Sequence, residues 1–206
     1  MVREYLKNFT SFNADTRRLL ISAALVGFTF FGVFSVLFNI FLLRLNFNAQ
    51  AIGQVNGASW LAYALFCVPC GVLAKKIGSR KILLIGIACM SAGFSFSAIT
   101  GLMPAAFRLG SAMYSTILSR IGFALYFPNL ATALLNHCQP EERSHAISAE
   151  WALFSLGGFT GSYLGSLAIP ALCDLAGFSP SSYIPYQYML LIGSVLQALA
   201  LIPLSS

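Results

Sequence analysis

The chain has 206 residues, of which 58% are hydrophobic and 9% charged, with a mean hydropathy of +0.79. Soluble domains carry about 25% charged residues, so six acidic and twelve basic groups leave too little polarity to cover a soluble surface. The composition excludes a soluble globular domain. It points to an all-α, polytopic protein of the lipid bilayer. A pI near 9.2 would suit nucleic acid, but the basic residues flank apolar spans with no interleaved aromatic patch. Orientation in a membrane explains them better, and no nucleic-acid partner is expected.

Residues 1–18 form a polar segment, in which Phe9, Phe12 and the Arg17-Arg18 pair suggest a short interfacial helix. The uncharged run from Leu19 to Leu43 is too long for the apolar core of a cleaved signal peptide, so the segment is expected to be retained. A span needs about 20 mostly apolar residues to cross roughly 30 Å of hydrocarbon. Five further runs qualify: Ala51 to Ala74, Ile82 to Phe107 (leaving the membrane near Gly101 and Pro104), Leu109 to Asn136, Trp151 to Cys173, and Tyr186 onward. Residues 19–206 are therefore expected to be a six-helix transmembrane bundle.

The basic residues alternate between the two ends of these spans. Arg3, Lys7, Arg17, Arg18, Lys75, Lys76, Arg80, Lys81 and Arg143 fall on one side, Arg44 and Arg108 on the other, and Arg120 lies within the fourth span. The positive-inside rule then puts both termini in the cytoplasm, in a cell membrane crossed six times.

Five cysteines are scattered through the spans. Cys67 and Cys70 have redox spacing, but a reactive thiolate needs a helix N-terminus and solvent access. Inside an apolar helix they read as packing residues. No cofactor or metal set is expected.

The polar groups inside the spans are more informative. Arg120 lies roughly 18 Å from the outer end of its helix at the α-helical rise. A guanidinium there costs at least about 3 kcal/mol unless it meets a cavity or a partner. Contact with a substrate cavity is favoured over an arginine bonded to carbonyls freed by Pro128, and it hints at an anionic or zwitterionic small-molecule substrate. Asn56, Trp60 and Tyr63 share a face of the second helix at i, i+4 and i+7. With Asn39, Tyr126 and Asn129 they either line a pathway or glue helices together by interhelical hydrogen bonds. Glu150 is expected to join Glu141, Glu142 and Arg143 in a loop-side charge network rather than to couple protons. Gly157, Gly161 and Gly165 repeat at a spacing that lets helices approach closely.

Between the second and third spans the segment Gly71-x-x-x-Lys75-Lys76-x-Gly78-x-Arg80-Lys81 reads as a short, basic, hairpin-like connection. It resembles the signature loop of the major facilitator superfamily, Gly-x-x-x-Asp-Arg/Lys-x-Gly-x-Arg/Lys-Arg/Lys, with Lys75 in place of the acid. The Pro140 to Arg143 connection, the glycine-rich fifth helix and Arg120 resemble weaker family features.

The resemblance implies a secondary transporter of small molecules working by alternating access, built as twelve helices in two six-helix halves of inverted three-helix repeats. The chain is then expected to be the N-terminal half. It is read as a truncated or split product, with a homodimer or a separately encoded second half as alternatives. The resemblance also implies that Gly71, Lys75, Lys76, Gly78, Arg80 and Lys81 form a conformational-switch loop. There the family's acid meets charged groups and a helix N-terminus of the other half. Lys75 would repel that positive helix end, so the latch is expected to be weak, differently built or lost.

Two other classes make different demands on these residues. A non-transporting scaffold or regulatory subunit would need Arg120 for assembly but not for flux. For an intramembrane enzyme, Gly57-Ala58-Ser59 resembles the nucleophile motif of rhomboid proteases. However, the histidines, His137 and His145, lie at the far end of the bundle from Ser59, and no catalytic set assembles.

Overall fold

The computed structural model describes residues 12–179 and 181–205, and among them the chain is all-α. Six helices are long and apolar enough to cross a membrane. They are α1 (Ala14–Arg44), α2 (Ala49–Ile77), α3 (Ser79–Ile99, extended by a 3-10 turn Thr100–Leu102), α4 (Ala105–His137), α5 (Arg143–Ala176) and α6 (Ile184–Leu199). A short α7 (Ile202–Ser205) follows. Arg3, Lys7 and Phe9 lie outside the described residues.

Helix α1 starts earlier than the hydropathy suggests, because Asn13 caps it by accepting from the Thr16 amide at 2.7 Å. Arg17 and Arg18 thus belong to the first turns of α1 rather than to a separate interfacial helix. In its middle, Gly27–Phe34 winds as a π-helix before the α form resumes at Ser35. π segments are rare and concentrate at functional sites.

The connection between α2 and α3 is a single residue. The expected hairpin over 71–81 is replaced by helix, because Val72 to Ile77 contains good helix formers and nothing to stop them. Gly78 alone turns the chain, at φ +91°, where a side chain would be strained. Pro104 opens α4, and a capping box between Gln139 and Glu142 opens the turn Pro140–Glu142 ahead of α5. Gly177, left-handed at φ +67°, closes α5.

Packing follows a mirrored scheme, with α2 lying on α4, α5 on α1, and α3 against α4 and α6. Exchanging α1–α3 for α4–α6 reproduces the first two pairings. The α1–α5 seam is made by glycines from both helices. Gly157 faces Ala24, Gly161 faces Phe28, and a Cβ on Gly32 would lie 2.6 Å from the Gly161 Cα. A Cβ on Gly165 would meet Leu37 at an ordinary 3.5 Å. Such backbone-to-backbone approach replaces the hydrophobic drive that lipid cannot supply. In their most apolar stretches α1 and α4 are 61% buried, whereas α2 and α5 are 17% and 22% buried. The bundle is therefore centred on α1 and α4, with α2 and α5 outward.

Candidate functional site: a caged arginine

Arg120 is carried by α4 to the centre of an aromatic cluster and is only 8% exposed. Its guanidinium carbon sits 3.8 Å from the Trp60 ring centroid and 4.8 Å from that of Phe30. Phe30 comes from the π segment of α1 and Trp60 from α2. Around them, Tyr63 packs edge-on to Trp60 at 5.7 Å, and Phe123 stacks on Phe30 at 4.5 Å. Three helices thus build one cage.

Each cation–π contact is worth about 0.5–2 kcal/mol, which offsets part of the desolvation of a buried charge. It covers the faces of the guanidinium and leaves its edge unused. Nη1 has no hydrogen-bond partner, and no described acid lies within ion-pair distance of it. Arg120 makes no bond to a carbonyl freed by Pro128, so that alternative is not adopted. Trp60 is 44% exposed, which puts the cage at the outward flank of α2. A buried guanidinium edge without a partner has donors of the kind that hydrogen-bond planar or tetrahedral oxyanions.

Among the other polar candidates, Asn56 donates to the Asn39 Oδ1 at 2.9 Å and to the Ile52 carbonyl, while Asn39 donates to the Ser35 carbonyl. The Asn56-to-Asn39 bond forms a clasp between α1 and α2. Tyr126 is fully buried, its hydroxyl 2.8 Å from that of Ser22. It faces the bundle core rather than a cavity, as a phenol must when its ring fills space between α1 and α4. Asn129 donates to the Leu125 carbonyl. With Lys75, Gly71, Ser79, Thr132 and Asn136 it borders a cleft of about 440 Å³ between α2 and α4. Ser59 donates to the Asn56 carbonyl, and the Nδ1 of His137 lies 2.7 Å from the Ala133 carbonyl, so each is engaged on its own helix.

The basic segment is spread over three roles. Lys75 and Lys76 occupy the last turn of α2, where cations suit the negative end of the helix dipole. Gly71 lies inside α2 with open space beside it. Arg80 donates through Nε to the Leu204 carbonyl at 2.6 Å, tying the start of α3 to α7. Lys81 is exposed.

The loop-side network does not form. Glu142 caps Gln139 at 3.4 Å, Glu141 and Arg143 are exposed, and the ion pair found among the described residues is Asp15–Arg18. Glu150 is 1% exposed, two turns into α5, with Oε2 unpartnered. Sequence reasoning placed it at a helix end because the apolar run begins at Trp151. The α5 helix starts at Arg143, one capping box earlier. Phe30 and Phe123 were also missed, since nothing in an eighteen-phenylalanine sequence distinguishes them.

The Major Facilitator Superfamily profile matches residues 19–205. The chain belongs to this superfamily. It is 29% identical over 144 residues to probable anion transporter 5 of Arabidopsis thaliana, covering 70% of this chain and 31% of that protein. It is 30% identical over 180 residues to probable anion transporter 6, chloroplastic, from the same plant (84% and 32%). It is 28% identical over 148 residues to the multidrug resistance protein MdtH of Cronobacter sakazakii (72% and 35%). The chain thus spans about a third of the length of these relatives. No solved structure matches it. The superfamily is one of transporters, not enzymes, and its members are multi-pass membrane proteins.

Proposed function

We propose that this bundle is the N-terminal half of a major facilitator transporter that moves a small anion by alternating access, with Arg120 as the anion-binding group. The observation that carries the reading is the unpaired edge of a guanidinium buried between Phe30 and Trp60. Two of the relatives are named as probable anion transporters, which supports the same substrate class. The outward faces of α2 and α5, with Trp60, Phe66, Trp151 and Phe159 exposed, are the surfaces that a second six-helix half or a second copy would cover. Nine basic residues to two support termini on the cytoplasmic side of a cell membrane.

The test is calorimetric titration of the reconstituted chain with inorganic phosphate and small carboxylates, together with uptake of the same anions in cells supplying a second half. Arg120→Gln is expected to weaken binding about 10- to 100-fold, the loss of one charged hydrogen bond at about 1.5–3 kcal/mol. Arg120→Lys keeps the charge but loses the stacking and should fall between. Unchanged uptake in a folded Arg120→Gln protein would overturn the reading.

A further inference from the structure

The aromatic surface beside Arg120 extends well past the two rings that cage it. It continues along α2, α4 and α5 in an unbroken series. Trp60 lies 5.7 Å from Tyr63, Tyr63 5.3 Å from Phe123, Phe123 5.0 Å from Phe127, and Phe127 5.2 Å from Trp151. Phe31 of α1 joins the series edge-on to Phe123 at 6.0 Å. Part of this surface is open, since Phe31 is 38% and Trp60 44% exposed, and Tyr63 is half-buried. Lipid tails are as apolar as these rings, so a ring stripe by itself identifies no ligand. This stripe adjoins a cation. The guanidinium of Arg120 lies on the Trp60 ring, buried and with Nη1 unpartnered.

We propose that the anion held at Arg120 is an aromatic monocarboxylate, with its carboxylate on the guanidinium and its ring against Trp60, Tyr63 and Phe31. The proposal rests on the reading of Arg120 given above and adds the class of substrate.

Three features of the bundle select this class. The first is charge. Among the described basic residues, Arg120 alone lies away from the ends of the spanning helices. One cation balances one carboxylate, whereas a dianion would carry an uncompensated charge into a low-dielectric interior. The second is hydrogen bonding. A polyhydroxylated ligand needs several donors and acceptors, but the polar side chains of these helices are engaged within the bundle. Asn56 donates to Asn39 and to the Ile52 carbonyl, Asn129 to the Leu125 carbonyl, and Tyr126 bonds with Ser22. A carboxylate asks for the planar fork that a guanidinium presents. The third is the body of the ligand. Aromatic rings prefer edge-on or offset partners, and the rings here already meet that way, Trp60 and Tyr63 at 86° and Phe31 and Phe123 at 60°. An aromatic ligand extends the series, whereas an aliphatic one of equal size gains burial alone.

The experiment is calorimetric titration of the full chain in lipid nanodiscs, with empty nanodiscs as the blank for partitioning into lipid. The probes are benzoate, cyclohexanecarboxylate, acetate and benzyl alcohol. Benzoate is expected to bind about 10- to 100-fold more tightly than acetate. It should bind about 2- to 10-fold more tightly than cyclohexanecarboxylate, which has similar size and equal charge but no aromatic face. Phe31→Leu and Tyr63→Leu are expected to reduce that second preference while acetate still binds, which shows that the variants are folded. Phe107→Leu, in the first turn of α4, should leave it unchanged. A preference that survives both Phe31→Leu and Tyr63→Leu puts the ring elsewhere and overturns the proposal. Equal binding of benzoate and cyclohexanecarboxylate, or of benzoate and acetate, overturns the aromatic class and leaves an Arg120-dependent anion site standing. Benzyl alcohol binding as tightly as benzoate, in wild type and Arg120→Gln alike, overturns both readings, as does a failure of every probe to bind.

Discussion

The arginine at position 120 is held by ring faces rather than by an acid, and this choice has consequences. A carboxylate partner would quench the charge, whereas Phe30 and Trp60 stack on the guanidinium and leave Nη1 without a hydrogen-bond partner. Under the proposed reading, Trp60 positions the charge without competing for the anion. Trp60→Ala is expected to lower anion affinity by about 2- to 30-fold, the equivalent of one cation–π contact of about 0.5–2 kcal/mol. Trp60→Phe should recover most of it. Calorimetric titration with inorganic phosphate checks both. The need for an explanation at Arg120 was legible from its depth in an apolar span. That the answer was aromatic was not, because Phe30 and Trp60 are 90 and 60 residues away in sequence and meet Arg120 only through the packing of α1 and α2 on α4.

At the scale of elements, the α1–α5 seam is the part of the bundle least tolerant of added atoms. Gly27, Gly32, Gly157 and Gly161 let the π segment of α1 meet α5 backbone to backbone, and the same segment presents Phe30 to Arg120. Gly161→Val should force the helices apart, costing about 1–3 kcal/mol or more as overpacking. It should also lower thermal stability in detergent and weaken anion binding through the displaced Phe30. A scan of melting temperature beside the binding titration separates the two effects. The glycine spacing on α5 was readable as a packing face. Its partner was not, since the glycines of α1 lie in a phenylalanine-rich run with no such repeat. The basic segment shows the opposite failure. Its glycines suggested a hairpin, but helix propensity from Val72 to Ile77 extended α2 and left Gly78 as the whole turn.

For the whole molecule, orientation is read from which side each loop can be labelled. Lys81→Cys should react with an impermeant thiol reagent only from the cytoplasmic side, and Met103→Cys only from outside. The opposite labelling would invert the proposed topology. The α2–α4 cleft is bordered by Lys75 and Asn129, and Lys75 stands where the family's signature loop carries an acid. In a twelve-helix context Lys75→Asp is expected to shift the protein toward its cytoplasm-closed state, read as reduced cytoplasmic accessibility of a cysteine at Thr132. Unchanged accessibility would mean that position 75 does not act as a latch.

Composition and hydropathy by themselves determined the class and the six spans, and the glycine and basic positions of residues 71–81 pointed to the family. Each is a property of single helices in lipid, set by how many apolar residues follow one another and where the charges and glycines interrupt them. Only the tertiary structure decided which polar groups are spent and which are free. Asn39, Asn56 and Tyr126 hydrogen-bond one another or Ser22 across helix contacts, whereas Arg120 Nη1 and Glu150 Oε2 are buried without partners. Whether a hydrogen bond exists depends on which faces of distant helices meet, and no local pattern encodes that.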